Sequence, residues 1–159
     1  MFRRVLVVAL GVVLAGLGAA APAHAQGNVP HTQSTLGARA GASGGPEQFF
    51  VGAHVETPAL GHNVTFRPNA EIGFGSDLTL LAVNLDLVHW SRIPNTEWRI
   101  YAGGGVGTNL IFDDFDENDI LDGNVNAVIG VQHTSGLYAE MRVGMTPGVK
   151  VAVGYVIRR

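Results

Sequence analysis

The chain has 159 residues, room for one domain and short for two. Charged residues make up only 14%, against roughly 25% in an ordinary soluble domain, while 47% are hydrophobic and 22 residues are glycine. There is no cysteine, which excludes disulfides, thiolate metal sites and a cysteine nucleophile, and a net charge of -3 has the wrong sign for a dedicated nucleic-acid binder.

Residues 1–25 read as a secretory signal peptide. Arg3 and Arg4 form a positive start, Val5 to Leu17 an uncharged apolar run, and Ala23-His24-Ala25 a cleavage site. Cleavage there leaves 134 of the 159 residues, with eight basic against thirteen acidic side chains. Residues 26–34 are polar and read as a flexible tail. No second long apolar run follows, so a helical membrane protein is not expected.

From residue 35 to 159, period-2 alternation predicts one β domain. Eight segments stand out, at about 35–42, 47–56, 64–75, 78–90, 97–110, 123–134, 137–146 and 149–157. In the third, Val64, Phe66, Pro68, Ala70, Ile72 and Phe74 share one face, opposite Thr65, Arg67, Asn69, Glu71 and Gly73. Pro68 sits mid-segment, which predicts a bulge or a break. In the fourth, Leu81, Val83, Leu85 and Leu87 oppose Ala82, Asn84 and Asp86. In the fifth, Trp98, Ile100, Ala102, Gly104 and Val106 oppose Arg99, Tyr101 and glycines. In the seventh, Leu137, Ala139, Met141 and Val143 oppose Tyr138, Glu140 and Arg142, and in the eighth alternate valines oppose Lys150, Ala152 and Gly154.

The apolar face is long enough to cross a bilayer at a tilt. The other face collects Arg39, Arg67, Arg99, Arg142 and Lys150 against Glu56, Glu71, Asp86 and Glu140, nearly balanced. A small membrane barrel fills its interior with side chains, so charges there must pair. Balance plus glycine on one face therefore predicts an eight-stranded antiparallel up-and-down transmembrane β-barrel with a packed, charge-paired lumen.

These residues resemble the small eight-stranded outer-membrane barrels of the outer membrane protein A/X and opacity-protein type. The resemblance spans 35–157 and rests on the signal peptide, the eight segments, the glycine-rich Tyr101–Gly107 strand and the closing Val149–Ile157 strand. It implies a monomeric cell-outer-membrane protein embedded in lipid and lipopolysaccharide, inserted by the barrel-assembly machinery, with a structural or adhesive role at the cell envelope. Members usually end on an aromatic residue that this machinery reads; here the last aromatic is Tyr155, and the chain runs on to Arg159. Threaded with both termini in the periplasm, the outer connections fall at 43–46, 76–77, 111–122 and 147–148. The periplasmic ones fall at 57–63, 91–96 and 135–136. Trp98 and Tyr155 are then expected at the periplasmic rim, and Phe49 and Phe74 at the outer rim.

The 111–122 connection carries Asp113, Asp114, Asp116, Glu117, Asp119 and Asp122. Asp114, Asp116 and Asn118 have calcium-loop spacing, but Asp119 and Val125 stand where an EF-hand needs Gly and Glu. The expectation is a solvated acidic surface loop, with loose divalent-cation bridging to lipopolysaccharide as the alternative. His133-Thr134-Ser135, with Glu140 further on, resembles the His-x-Ser-Asn motif of outer-membrane lipid A deacylases, except that Gly136 replaces Asn. By parity Glu140 and His133 fall on opposite faces, so a Ser-His-acid array is not expected. No catalytic, metal or cofactor-binding residue is assigned, and the reading is a non-enzyme. Two alternatives stay open: a secreted soluble lipocalin-like barrel binding a small apolar ligand, and a deacylase-like hydrolase.

Overall fold

The structure is a computed structural model that describes residues 33–45, 47–75, 78–113, 120–145 and 148–157. The expected signal peptide lies outside them, as do most of the 26–34 tail and Asp114, Asp116, Glu117 and Asp119.

Eight strands follow in order: β1 (Thr35–Gly44), β2 (Gln48–Glu56), β3 (Val64–Phe74), β4 (Leu78–Arg92), β5 (Trp98–Asp113), β6 (Ile120–His133), β7 (Leu137–Gly144) and β8 (Val149–Ile157). Each pairs antiparallel with its sequence neighbour, and β1 closes on β8 from Leu36↔Ile157 to Gly44↔Val149. Closure leaves no sheet edge along the wall, which is what a sheet needs where no water can satisfy its backbone.

The strands are unequal. β5 has 16 residues and β7 has 8. The β5–β6 ladder continues through Leu110↔Leu121 to Ile111↔Ile120, whereas β6–β7 pairing starts only at Asn126↔Gly144. The β5–β6 hairpin therefore rises above the short β7–β8 side. This corrects the expected 111–122 loop. Asp113 pairs with Leu78 and Asp122 with Asn109, both inside strands. The backbone register runs on through Leu110↔Leu121 to Ile111↔Ile120, and the neighbouring acids disguised that continuation in the sequence.

Pro68 produces no bulge. The β3–β4 register is unbroken from Val64↔His89 to Phe74↔Thr79. Thr57 N–H donates to Phe66 O at 2.9 Å, so Phe66 and, by parity, Pro68 turn their backbone groups toward β2. The β2–β3 ladder ends one residue short of Pro68, at His54↔Asn69. The missing donor thus removes one bond on one side of the strand, and the strand stays intact.

Turn chemistry fits the shorter connections at the end where the termini lie. Asn95 takes a left-handed φ of 59° in the β4–β5 turn, and Gly136 takes 105° at the β6–β7 corner, where Ser135-Gly136 was expected to turn.

The barrel is inverted relative to a soluble one. Buried inner residues, most of them polar, alternate with exposed apolar ones along the strands, and Phe49 and Val153 are 78% and 62% exposed. The soluble lipocalin-like alternative requires the apolar face inside, and it is outside. Among the described residues no helix is long and apolar enough to cross a membrane.

Candidate functional site

Alternation along β1, β3, β4, β7 and β8 turns Arg39, Arg67, Glu71, Asp86, Glu140, Arg142 and Lys150 into the lumen, each at most 7% exposed. Their chains meet across the bore. Arg39 reaches Glu71 at 2.5 Å and Glu140 at 2.9 Å. Arg67 reaches Glu140 at 2.6 Å and lies 4.0 Å from Asp86. Arg142 is 2.6 Å from both Asp86 and Glu140, and Lys150 is 2.5 Å from Glu71. Each of the three carboxylates Glu71, Asp86 and Glu140 faces at least two cations.

Neutral groups complete the network. Tyr101 O–H donates to Glu140 at 2.8 Å, and Asn69 Nδ2 donates to Asp86 at 2.8 Å while its Oδ1 accepts from Arg39 at 2.5 Å. Arg67 also lies over the Tyr101 ring, 4.8 Å from its centre. Toward the terminal end the lumen turns aromatic. Trp90 packs on Tyr101 with 4.5 Å between ring centres, and its Nε1 donates to Thr65 Oγ1 at 3.0 Å. Thr65 in turn donates to Glu56 at 3.2 Å, and Arg99 bonds Gln132 and lies over Trp90. All nine charged residues singled out from the sequence thus face inward, but in two layers. Seven form the central cluster, and Glu56 and Arg99 flank Trp90 below it. The charge list omitted Tyr101, Asn69 and Trp90. Their inward parity was readable, but nothing in a residue count announces a hydrogen-bonding partner.

Glycine makes this filling possible. Several bulky inward side chains lie across the strand pair from a glycine: Tyr101 from Gly130, Tyr138 from Gly154, His54 from Gly37 and Asp86 from Gly105. A Cβ on any of these glycines would collide with the facing side chain. Gly37, Gly130 and Gly154 make room for rings, and Gly52 and Gly105 for the carboxylate side chains of Glu71 and Asp86.

Outside, Phe49 pairs with Phe74 at the far rim, and Trp98 and Tyr155 are exposed near the terminal end. This is the sparse aromatic belt expected for those four residues.

The His133 region differs from expectation. Glu140 belongs to the lumen cluster, so the His133–Ser135–Glu140 combination is not assembled. His133 Nδ1 and Ser135 Oγ are nevertheless 2.9 Å apart, and His133 Nε2 lies 2.9 Å from Glu97 in the neighbouring turn. Ser135 N–H also donates to Nδ1 at 3.1 Å, which places the ring proton on Nε2, facing Glu97. The order Ser-His-Glu resembles a hydrolytic triad, but the nearby donors are spent. Thr134 N–H donates to Glu97 O and Gly136 N–H to His133 O, both at 2.9 Å. Those two N–H groups and that of Ser135 are therefore not aimed at an oxyanion beside Ser135. The array ties the β4–β5 turn to the β6–β7 turn. No group of His, Asp and Glu suited to a metal occurs among the described residues.

An inside-out, closed, eight-stranded barrel with a solid lumen is the fold class of small transmembrane β-barrels. Solved structures agree on the fold. The chain superposes on Neisserial surface protein A with a TM-score of 0.62 at 12% identity, covering 79% of this chain and 96% of that one. The N-terminal β-barrel domain of Pseudomonas aeruginosa OprF gives 0.60 at 13% identity, over 80% and 99% of the two chains. A de novo designed transmembrane β-barrel gives 0.51 at 14% identity, over 81% and 100%. No protein-family model matches the chain, and no curated protein matches its sequence.

Proposed function

We propose that the chain is a monomeric integral outer-membrane protein with a plugged bore, a structural element of the envelope that presents the β5–β6 hairpin at the cell surface. The observation that carries this reading is the ion cluster. Arg39, Arg67, Glu71, Asp86, Glu140, Arg142 and Lys150 bridge five of the eight strands across the lumen. Eight strands leave space that side chains fill, and these side chains fill it with ion pairs. A protein built this way opposes passage of solutes. What it offers to its surroundings is its apolar wall, to lipid, and its tallest hairpin, to the exterior. With the termini in the periplasm, that hairpin points outward and carries the acidic 113–122 segment.

Two measurements on one preparation test the reading. An epitope tag placed between residues 116 and 117 should bind antibody on intact cells, and the purified barrel in a planar bilayer should show no stable open-channel steps. A tag reached only after the outer membrane is permeabilised would overturn the surface role. Long-lived conductance steps would overturn the plugged bore.

A further inference from the structure

Lys150 and Arg142 are direct cross-strand partners on the lumen face of β7 and β8. Like charges placed opposite one another repel, and the repulsion grows where water is excluded. The central cluster is also unbalanced: four cations (Arg39, Arg67, Arg142, Lys150) face three carboxylates (Glu71, Asp86, Glu140). The surplus positive charge lies toward the far end, because Lys150 has only Glu71 as its carboxylate partner.

A small cavity lies at that point. Its walls are Arg142, Lys150, Gly144 and the side chains of Asn84, Asn124 and Asn126, with about 10 Å³ for an occupant's centre. That is room for one water-sized particle. The amides of Asn124 and Asn126 reach Asn84 Oδ1 at 3.5 Å each, the outer limit for a hydrogen bond. Lys150 has three N–H donors, and Glu71 receives one. Two buried cations, weakly engaged amide donors and a one-particle cavity coincide where the cluster has one positive charge too many.

We propose that this cavity is a binding site for a single small monovalent anion of halide size, which neutralises the Arg142–Lys150 pair and completes the charge balance of the plug. The site takes the ion as a fixed structural counter-charge. The charges of Arg142 and Lys150 disfavour a cation there, and the cavity is too small for phosphate or a carboxylate ligand. The inference rests on the lumen geometry and stands apart from the role proposed for the hairpin.

The test uses the full barrel refolded in detergent. Its melting temperature is measured in sodium bromide and in sodium gluconate at equal ionic strength, gluconate being too large for the cavity. The expected result is a melting temperature higher by a few degrees in bromide. Crystals grown in bromide should give an anomalous peak within hydrogen-bond distance of Lys150 Nζ and the Asn126 amide. Two variants isolate the cause, since general salt effects act on them equally. Lys150→Gln leaves three cations with three carboxylates, and Glu71 keeps Arg39. Asn126→Asp supplies a fixed negative charge where the anion would sit. Each should lose both the bromide shift and the peak, and Asn126→Asp should melt higher than the parent in gluconate. Equal melting of the parent in the two salts would overturn the proposal, whatever the variants do. A bromide peak without a stability shift marks an adventitious ion only and overturns it equally.

Discussion

On β7, Glu140 and Arg142 face the lumen, while Ala139 and Met141, one residue away, face outward. The two sets share a strand, a backbone and a register, yet the surroundings constrain them differently. Glu140 serves three guanidinium groups and a phenol at fixed distances, so its length, charge and orientation all matter. Ala139 lies beside Val131 and Val153 on neighbouring strands and must only be apolar. The inner face is a unique three-dimensional arrangement, and the outer face is a compositional requirement. Conformational specificity in this barrel therefore resides in its polar interior, the reverse of a soluble protein, whose apolar core is the jigsaw.

The largest effect should come from Glu140→Leu. It leaves Arg39, Arg67 and Arg142 buried in the lumen with two carboxylates among them, an imbalance of the kind that costs about 3–5 kcal/mol or more. Urea unfolding in detergent should show a strongly reduced midpoint or no folded band. Arg142→Leu should follow closely, because Asp86 would lose its 2.6 Å partner and keep Arg67 only at 4.0 Å. Next comes the steric comparison between neighbours. Gly130→Val drives a side chain into the Tyr101 ring and should cost about 1–3 kcal/mol or more. Ala139→Val, facing lipid, should leave the midpoint within about 0.5 kcal/mol. An equal loss from both would erase the distinction between the faces.

Smaller effects sharpen the map. Trp90→Phe keeps the ring packing and removes the bond to Thr65, so about 1 kcal/mol is expected in the same assay. His133→Ala unties two exposed turns and should cost at most about 1 kcal/mol. It should also leave any ester hydrolysis by the purified protein unchanged. A hydrolysis rate that falls with both His133→Ala and Ser135→Ala would make the Ser-His-Glu97 array catalytic. Asp122→Ala, on the projecting hairpin, should be close to neutral.

Strand number, order and facing were legible because the side-chain period of a strand is 2, and the chain keeps it with few interruptions. The inward charges followed from the same parity. The pairing of those charges was not legible, since Arg39 meets Glu140 across 101 residues of sequence. Barrel closure and stagger decide which inner positions share a level, and neither is written in any one segment. The Pro68 expectation failed because a missing N–H harms only the side toward which it would point, and the orientation of one backbone group depends on register. Glu97 escaped notice for a related reason. It lies in the turn before β5, and only the neighbouring β6–β7 turn brings it to His133.

A charged face inside and an apolar face against lipid define this barrel. The most direct measurement is refolding of the chain from residue 26 onward out of urea, with and without detergent, read on an SDS gel before and after boiling. An apolar outer face predicts folding only when detergent is present, with the unboiled species migrating apart from the boiled one. A protein that folds and stays soluble in plain buffer, with one band under both conditions, would contradict it.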